Sequence, residues 1–236
     1  MSNQDQSWGI LPTQQDEDNT RAHAVSDPAG YHAGIAGREL HWFDGNTQSW
    51  ISQTDTGEWA GWHDRDASSA HADASWQPWS HPLDDSLAPY YRWFVDGQTN
   101  ACFNLIDRHV LSGRGDQIAI VFEGDRWDPS KNDGRGGPVH EQRVTYRELL
   151  VEVALRTRVL KQADLSCGDR VALNLPNVLE QIFYILACQR LGVIYTPVFG
   201  GFSAKTLSDR IHDAGAKVVI TADGGYRNAE VVPYKS

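Results

Sequence analysis

From Thr145 onward, apolar residues recur at helical spacing and then in short continuous runs, and the two patterns alternate. Thr145-Tyr146-Arg147-Glu148 reads as a capping box opening a helix that carries Leu149, Leu150, Val153, Leu155 and Leu160. Gly168-Asp169 turns the chain into a strand, Arg170 to Leu175, which Pro176-Asn177 breaks. A second helix follows, with Val178, Ile182, Ile185, Leu186 and Ala187 on its apolar side, and stops at Gly192. Val193 to Val198 is a second strand, the turn Phe199-Gly200-Gly201 leads to a third helix from Ala204 to about Ala214, and Lys217 to Ile220 is a third strand. Strand, helix, strand, helix, strand predicts an α/β fold with a parallel sheet, flanking helices and right-handed crossovers. In such a sheet ligands sit beyond the carboxyl ends of the strands, where Phe199-Gly200-Gly201 and Thr221 to Gly225 fall.

Upstream the pattern is less regular. Thr99-Asn100 caps a predicted helix through Phe103, Leu105, Ile106, His109 and Val110 that stops near Gly113, with His109 read as a packed or surface residue. Ile118 to Phe122 and Arg143 to Thr145 read as partner strands around a long loop, Gly124 to Pro138. That loop holds Lys131, Arg135 and several glycines, but no helix follows the glycines, so it reads as a hairpin tip rather than a phosphate cradle. Residues 1–90 hold seven of the nine tryptophans with no sustained periodicity, and the expectation is an irregular covering segment, frayed over its first twenty residues. The division expected is therefore 1–90 and 91–236, the second part being an incomplete α/β domain.

Composition narrows the function classes. With 40% hydrophobic and 22% charged residues the chain is globular, and a formal net charge of −10 argues against a general nucleic-acid or anionic-membrane binder. Cys102, Cys167 and Cys188 are odd in number and far apart, which suggests neither a disulfide framework nor a zinc site. No apolar run reaches the length of a membrane span and the polar start is unlike a signal peptide, so a cytoplasmic location is expected.

The two carboxyl-end turns offer exposed amides, the ring of Phe199 and the guanidinium of Arg227, with Ser203 placed to cap the next helix. A nucleotide suits this set, through stacking on Phe199 and a forked contact from Arg227 to phosphate. The plainer reading stands beside it: Phe199 fills space between helix and sheet, and Arg227 is a surface charge. No Walker loop, no G-x-S-x-G and no H-E-x-x-H occurs, and no nucleophile–base pair stands out. His63-Asp64-Arg65-Asp66 with His71 and Asp73 lacks metal-ligand spacing and reads as a solvated loop.

Several blocks, in order, carry a resemblance: Tyr91-Arg92-Trp93-Phe94-Val95-Asp96-Gly97, Asn104-Leu105-Ile106-Asp107-Arg108-His109, Val144 to Leu149, Gly168 to Ala172, Val198 to Ala204, and Val218 to Gly225. Together they resemble the amino-terminal part of the short-chain AMP-forming acyl-CoA synthetases, the acetyl-CoA and propionyl-CoA synthetase group. The tryptophan-containing stretch from about Gly45 to Gln77 and the enlarged Gly124 to Pro138 loop look more like the ligase portion of propionyl-CoA synthase, a fused enzyme joining ligase, dehydratase and reductase activities.

The resemblance implies an acid-thiol ligase using Mg-ATP and CoA on an acetate, propionate or 3-hydroxypropionate class of acid. It implies that Phe199, Gly200 and Gly201 border the CoA adenine and that Arg227 lies near a CoA phosphate. A second basic residue often found three positions on is here Glu230. The family's phosphate loop and lid lysine would lie past Ser236, so this chain is expected to be inactive alone and to depend on the rest of a ligase polypeptide as well as small-molecule substrates. Two other readings remain: a non-catalytic docking segment using the tryptophan-rich part, and a free-standing nucleotide-binding domain. Isolated, an α/β part with an unpaired sheet is expected to expose apolar area and self-associate.

Overall fold

Short local signals set the first elements. The computed structural model describes residues 13–54, 58–61, 76–198 and 201–234. Helix α1 (Gln14–Ser26) starts at Thr13, whose hydroxyl accepts from the Asp16 amide at 3.1 Å, with Asp16 and Glu17 in the first turn complementing the dipole. Helix α2 (Pro28–Glu39) begins with Pro28 in its first turn, and Asp27 accepts from the Gly30 amide at 2.9 Å. Residues 14–20, expected to fray, are helical here, and α1 meets α2 through His23 and Tyr31, whose ring centroids are 5.5 Å apart; residues 1–12 lie outside the described residues.

The chain divides into two compact units between Thr99 and Asn100. In the first, β1 (Trp42–Asp44), β2 (Ser49–Gln53) and β3 (Trp59–Gly61) form an antiparallel sheet, and β4 (His81–Asp84) pairs with β5 (Arg92–Val95). β5, which follows residue 90, pairs with β4 and so falls in the first unit.

The tryptophans form a core of their own, which replaces the expected irregular covering segment. Trp42 and Trp79 are buried with Ala36, and Trp59, Trp76 and Phe94 pack against them. Trp42 meets Trp79 edge-on at 4.8 Å between centroids, Trp79 meets Phe94 at 5.0 Å, and the Trp42 indole N–H donates to the Ala36 carbonyl at 3.0 Å. Trp62 lies outside the described residues, as does the run from His63 to Asp73.

The second unit opens with a helical segment, residues 101–114, containing wide π turns at Phe103–Asp107 and Val110–Arg114. Strands β6 (Ile118–Glu123) and β9 (Glu141–Thr145) pair antiparallel. Between them β7 (Trp127–Asp128) pairs with β8 (Gly137–Pro138) around the short turn α3 (Lys131–Gly134), where Asn132 and Asp133 take left-handed backbone. The expected capping box opens α4 (Tyr146–Gln162): Thr145 N–H donates to the Glu148 carboxylate at 2.8 Å and Glu148 N–H to the Thr145 hydroxyl at 3.3 Å.

The predicted alternation then appears as β10 (Arg170–Asn174), α5 (Leu179–Leu191), β11 (Ile194–Pro197), α6 (Ala204–Ala214) and β12 (Val218–Thr221). The three strands form a parallel sheet in the order β11-β10-β12, with β10 central and buried on both faces. Its core joins Val171 and Leu173 to Leu149, Val153 and Leu160 of α4 and to Phe183 and Leu186 of α5. Helix α5 buries Leu186 and Ala187 and packs Ile185 on the core as expected, adds Leu179 and Phe183 to the inward face, and leaves Ile182 outside. A helix apolar on most sides has no single periodic stripe to fix its rotation.

The helix ends are tied to neighbouring elements. Gly192 and Gly215 take the left-handed conformation that ends α5 and α6. Asn100 donates to the Gln189 and Arg190 carbonyls at 3.2 and 3.1 Å, and Arg190 grips Asp107 with two bonds of 3.1 and 2.5 Å. The last pair, β13 (Gly224–Arg227) and β14 (Glu230–Pro233), is an antiparallel hairpin.

Candidate functional site

The sheet order decides what its carboxyl edge can assemble. β11 and β12 flank β10, so the carboxyl ends of these two strands stand on either side of the central strand, roughly two strand spacings or about 10 Å apart. Between them, β10 runs out through Asn174 to Pro176-Asn177, and Asn174 bonds the Thr221 hydroxyl at 3.4 Å.

Of the residues expected at the site, Phe199 and Gly200 lie outside the described residues. Gly201 is exposed in the turn before Ser203, which caps α6 by accepting from the Thr206 amide at 3.2 Å. Arg227 is exposed at the end of β13, directly opposite Glu230 in the hairpin register. The intervening Asn228 and Ala229 both have positive φ, 52° and 63°, which makes a tight two-residue hairpin turn. The Ala229 amide donates to Asp125 at 2.5 Å, pinning this tip to the loop after β6.

Gly225 explains how the hairpin docks on the sheet edge. A Cβ there would lie 2.6 Å from Cβ of Pro176, so only glycine allows the hairpin to come this close to the end of β10.

A cleft of about 910 Å³ opens at the same end of β10. Pro176, Asn177 and the start of α5 form one wall, Glu148, Glu152 and Arg156 of α4 another, and Phe122, Arg143 and His140 a third, while Tyr226 comes in from the hairpin. Arg156 pairs with Glu152 and its guanidinium lies 5.4 Å from the Phe183 ring centroid. The lining includes neither Gly201 nor Arg227, and Phe199 and Gly200 lie outside the described residues. The cleft went unseen in the sequence because its walls come from four separated segments, none with a motif. Pro176-Asn177 after a strand was the one available signal.

Two of the three cysteines, Cys102 and Cys188, are buried and unsuited to nucleophilic work, while Cys167 is exposed. Burial pushes the Cys102 and Cys188 thiols up to about 11, which keeps both protonated at neutral pH. Burial, together with Arg114 and Arg108, lowers His109 to about 4, and its ring packs against Tyr146 at 4.6 Å. Of the two readings open from the sequence, packed or surface, the structure shows His109 packed. Asp169 is held down at about 2 by hydrogen bonds from Lys217 and Ser166, a structural clamp at the base of the sheet. Among the described residues no cluster of His, Cys, Asp or Glu could hold a metal ion, and no helix is long and apolar enough to cross a membrane.

Comparison with known proteins agrees with this architecture. Residues 68–105 match the acetyl-coenzyme A synthetase N-terminus family, and residues 108–235 match the AMP-binding enzyme family. An acetyl-coenzyme A synthetase of Methylobacillus flagellatus is 45% identical over 171 residues, covering 72% of this chain and 24% of the relative. That of Burkholderia lata is 42% identical over 160 residues, covering 68% and 22%, and that of Mycobacterium tuberculosis is 43% identical over 164 residues, covering 69% and 23%. The chain thus spans about a quarter of the length of these relatives. With the second match taking in more than half of its residues, from the end of the π-turn helix to the β13–β14 hairpin, the chain belongs to the AMP-binding enzyme family.

Proposed function

We propose that the chain is the amino-terminal portion of an ATP-dependent, AMP-forming short-chain acyl-CoA ligase and contributes one side of its CoA-nucleotide groove. The observation that carries this reading is the order of the two matches, an acetyl-coenzyme A synthetase N-terminus at 68–105 running straight into an AMP-binding segment at 108–235. In such a ligase the acid's carboxylate attacks the α-phosphorus of Mg-ATP, pyrophosphate leaves, and an acyl-adenylate forms. The CoA thiol then attacks the acyl carbon, and AMP departs with the former carboxylate oxygen. Both steps need cationic and amide donors aimed at phosphoryl and acyl oxygens.

This chain's part in that scheme is to bind and orient. Phe199, Gly200 and Gly201 border the adenine, and Arg227 offers a forked donor to a CoA phosphate from the exposed hairpin end. Glu230 opposite Arg227 weakens that contact by competing for the guanidinium. The 236 residues contain no lysine-bearing Ser/Thr/Gly-rich phosphate loop, which supports inactivity of the chain alone. The acid is of the acetate, propionate or 3-hydroxypropionate class, and the long tryptophan-bearing segment favours the ligase portion of a propionyl-CoA synthase. The docking-segment alternative loses its main support, because the buried tryptophans are occupied with one another.

The test is ATP–pyrophosphate exchange with acetate, propionate or 3-hydroxypropionate. No exchange is expected from the 236-residue chain, and clear turnover would refute its inactivity. In the full-length ligase, Arg227→Ala is expected to weaken CoA binding about tenfold, the scale of one charged hydrogen bond. Unchanged affinity by calorimetry removes Arg227 from the groove.

A further inference from the structure

The β13–β14 hairpin is fastened at its base and at its tip, and Arg227 lies between the two points. β13 and β14 pair with each other and, among the described residues, with no other strand, and a lone two-stranded ribbon is marginal in water. The base is held where Gly225 meets Pro176 at the end of β10, and the Tyr234 N–H donates to the Asp223 carbonyl at 2.9 Å. The tip is held from outside the hairpin by the bond from the Ala229 amide to the Asp125 carboxylate, across 104 positions of sequence. Alternate residues of a strand share a face, so Arg227 leaves β13 on the same side as Gly225, the side turned to the carboxyl end of β10.

Backbone sets both partners of the tip bond. Asn228 and Ala229 are the two loop residues of the hairpin and have no partner in its ladder, which leaves the Ala229 N–H to an acceptor elsewhere. At φ 63° Ala229 occupies a turn position that glycine usually takes, a conformation that persists where surrounding contacts hold it. Asp125 is braced on either side: the Gly124 N–H donates to the His140 carbonyl at 2.8 Å, and the Val139 N–H donates to the Arg126 carbonyl at 2.7 Å. Its carboxylate therefore stands on paired backbone, although it belongs to the long loop after β6.

We propose that Asp125 is a positioning residue for Arg227: by holding the hairpin tip, it fixes where the guanidinium meets a CoA phosphate. The proposal rests on the reading of Arg227 as a CoA contact. Asp125 acts through backbone, since the amide it holds is two residues from Arg227, and releasing it lets the ribbon pivot on its base at Gly225. Both bonded residues are exposed, so the bond competes with water and its effect falls on local geometry more than on the stability of the fold. The sign of the effect is diagnostic. A carboxylate acting only through its charge would repel a phosphate, and its removal would tighten CoA binding, whereas loss of a positioning contact weakens it.

Steady-state kinetics on the full-length ligase test this, with the KM for CoA taken from the complete reaction and the KM for ATP from ATP–pyrophosphate exchange, a half-reaction that needs no CoA. Asp125→Ala is expected to raise the KM for CoA about fivefold, the scale of one hydrogen bond, and to leave the KM for ATP within about twofold. Asp125→Asn keeps an oxygen acceptor without the charge and is expected to stay within about twofold of wild type for CoA. Added to Arg227→Ala, Asp125→Ala is expected to change the KM for CoA no further, because no guanidinium is left to place. With Arg227→Ala impaired for CoA, an unchanged or lower KM for CoA in Asp125→Ala overturns the proposal. A parallel rise in both KM values, an asparagine variant as impaired as the alanine one, or additive losses in the double variant overturns it equally. If Arg227→Ala itself leaves the KM for CoA unchanged, the reading of the groove fails, and the positioning role falls with it.

Discussion

At the scale of single residues, the informative positions are those where chemistry and backbone constrain each other. Gly225 is fixed by Pro176: Gly225→Val drives a side chain into the proline ring and is expected to cost about 1–3 kcal/mol, read as a lower urea midpoint. His109 carries a pH dependence whose sign follows from its depressed pKa. The unfolded chain binds a proton near the usual value of 6.5, whereas the folded chain stays neutral down to about 4. Stability from this site is therefore complete above pH 6.5 and is lost as pH falls toward 4. His109→Gln should flatten the fall in urea midpoint across that window, and an unaltered slope would show that other groups set it. Asp169 acts in a separate, lower window, between its usual 3.8 and about 2. The helical spacing around His109 left it packed or on the surface, and nothing in it pointed to Arg114, whose guanidinium lies 2.5 Å from Nδ1.

At the scale of elements, what could be read beforehand were features written within a few consecutive residues. The capping box of α4, the strand run of β10 and the glycine stop of α5 all rest on local rules, and each formed as expected. Removing the box should be correspondingly local: Thr145→Ala deletes the acceptor for the Glu148 amide and is expected to cost about 1 kcal/mol, with faster amide exchange confined to the first turn of α4. Spatial order is not local, and there the sequence was mute. Nothing in β11 or β12 reveals that β10 lies between them, and this separates the carboxyl ends of the two strands whose turns are expected to face one site. Nor did Gly224-Gly225 declare itself a strand, because glycines read as a turn until Pro176 supplies the reason for their lack of side chains. The tryptophan sheet escaped for a related reason: strands of three to five residues are too short to establish a period of two.

At the scale of the whole chain, two hydrophobic clusters stand among the described residues where the pattern of apolar positions suggested one α/β core with a covering segment. The aromatic cluster around Trp42 and Trp79 and the aliphatic cluster around Val171 and Leu173 share no residue, and they fall on opposite sides of the Thr99–Asn100 division. Large-to-small substitutions remove transfer energy and leave a cavity whose effect spreads through the residues that pack on it. Trp79→Ala is therefore expected to cost about 3–5 kcal/mol and to speed amide exchange in β1, β4 and β5. Leu173→Ala, at a fully buried position, is expected to cost about 2–5 kcal/mol and to do the same in β10 and α5. Exchange measured by mass spectrometry on peptides from both halves separates the effects, and the double variant should lose stability in each half by the amount the single variants do. If Trp79→Ala instead loosened β10 as much as β1, the two clusters would be one cooperative core. The stability of β10 would then depend on the aromatic residues, and the faster exchange in β10 is the outcome that would show it.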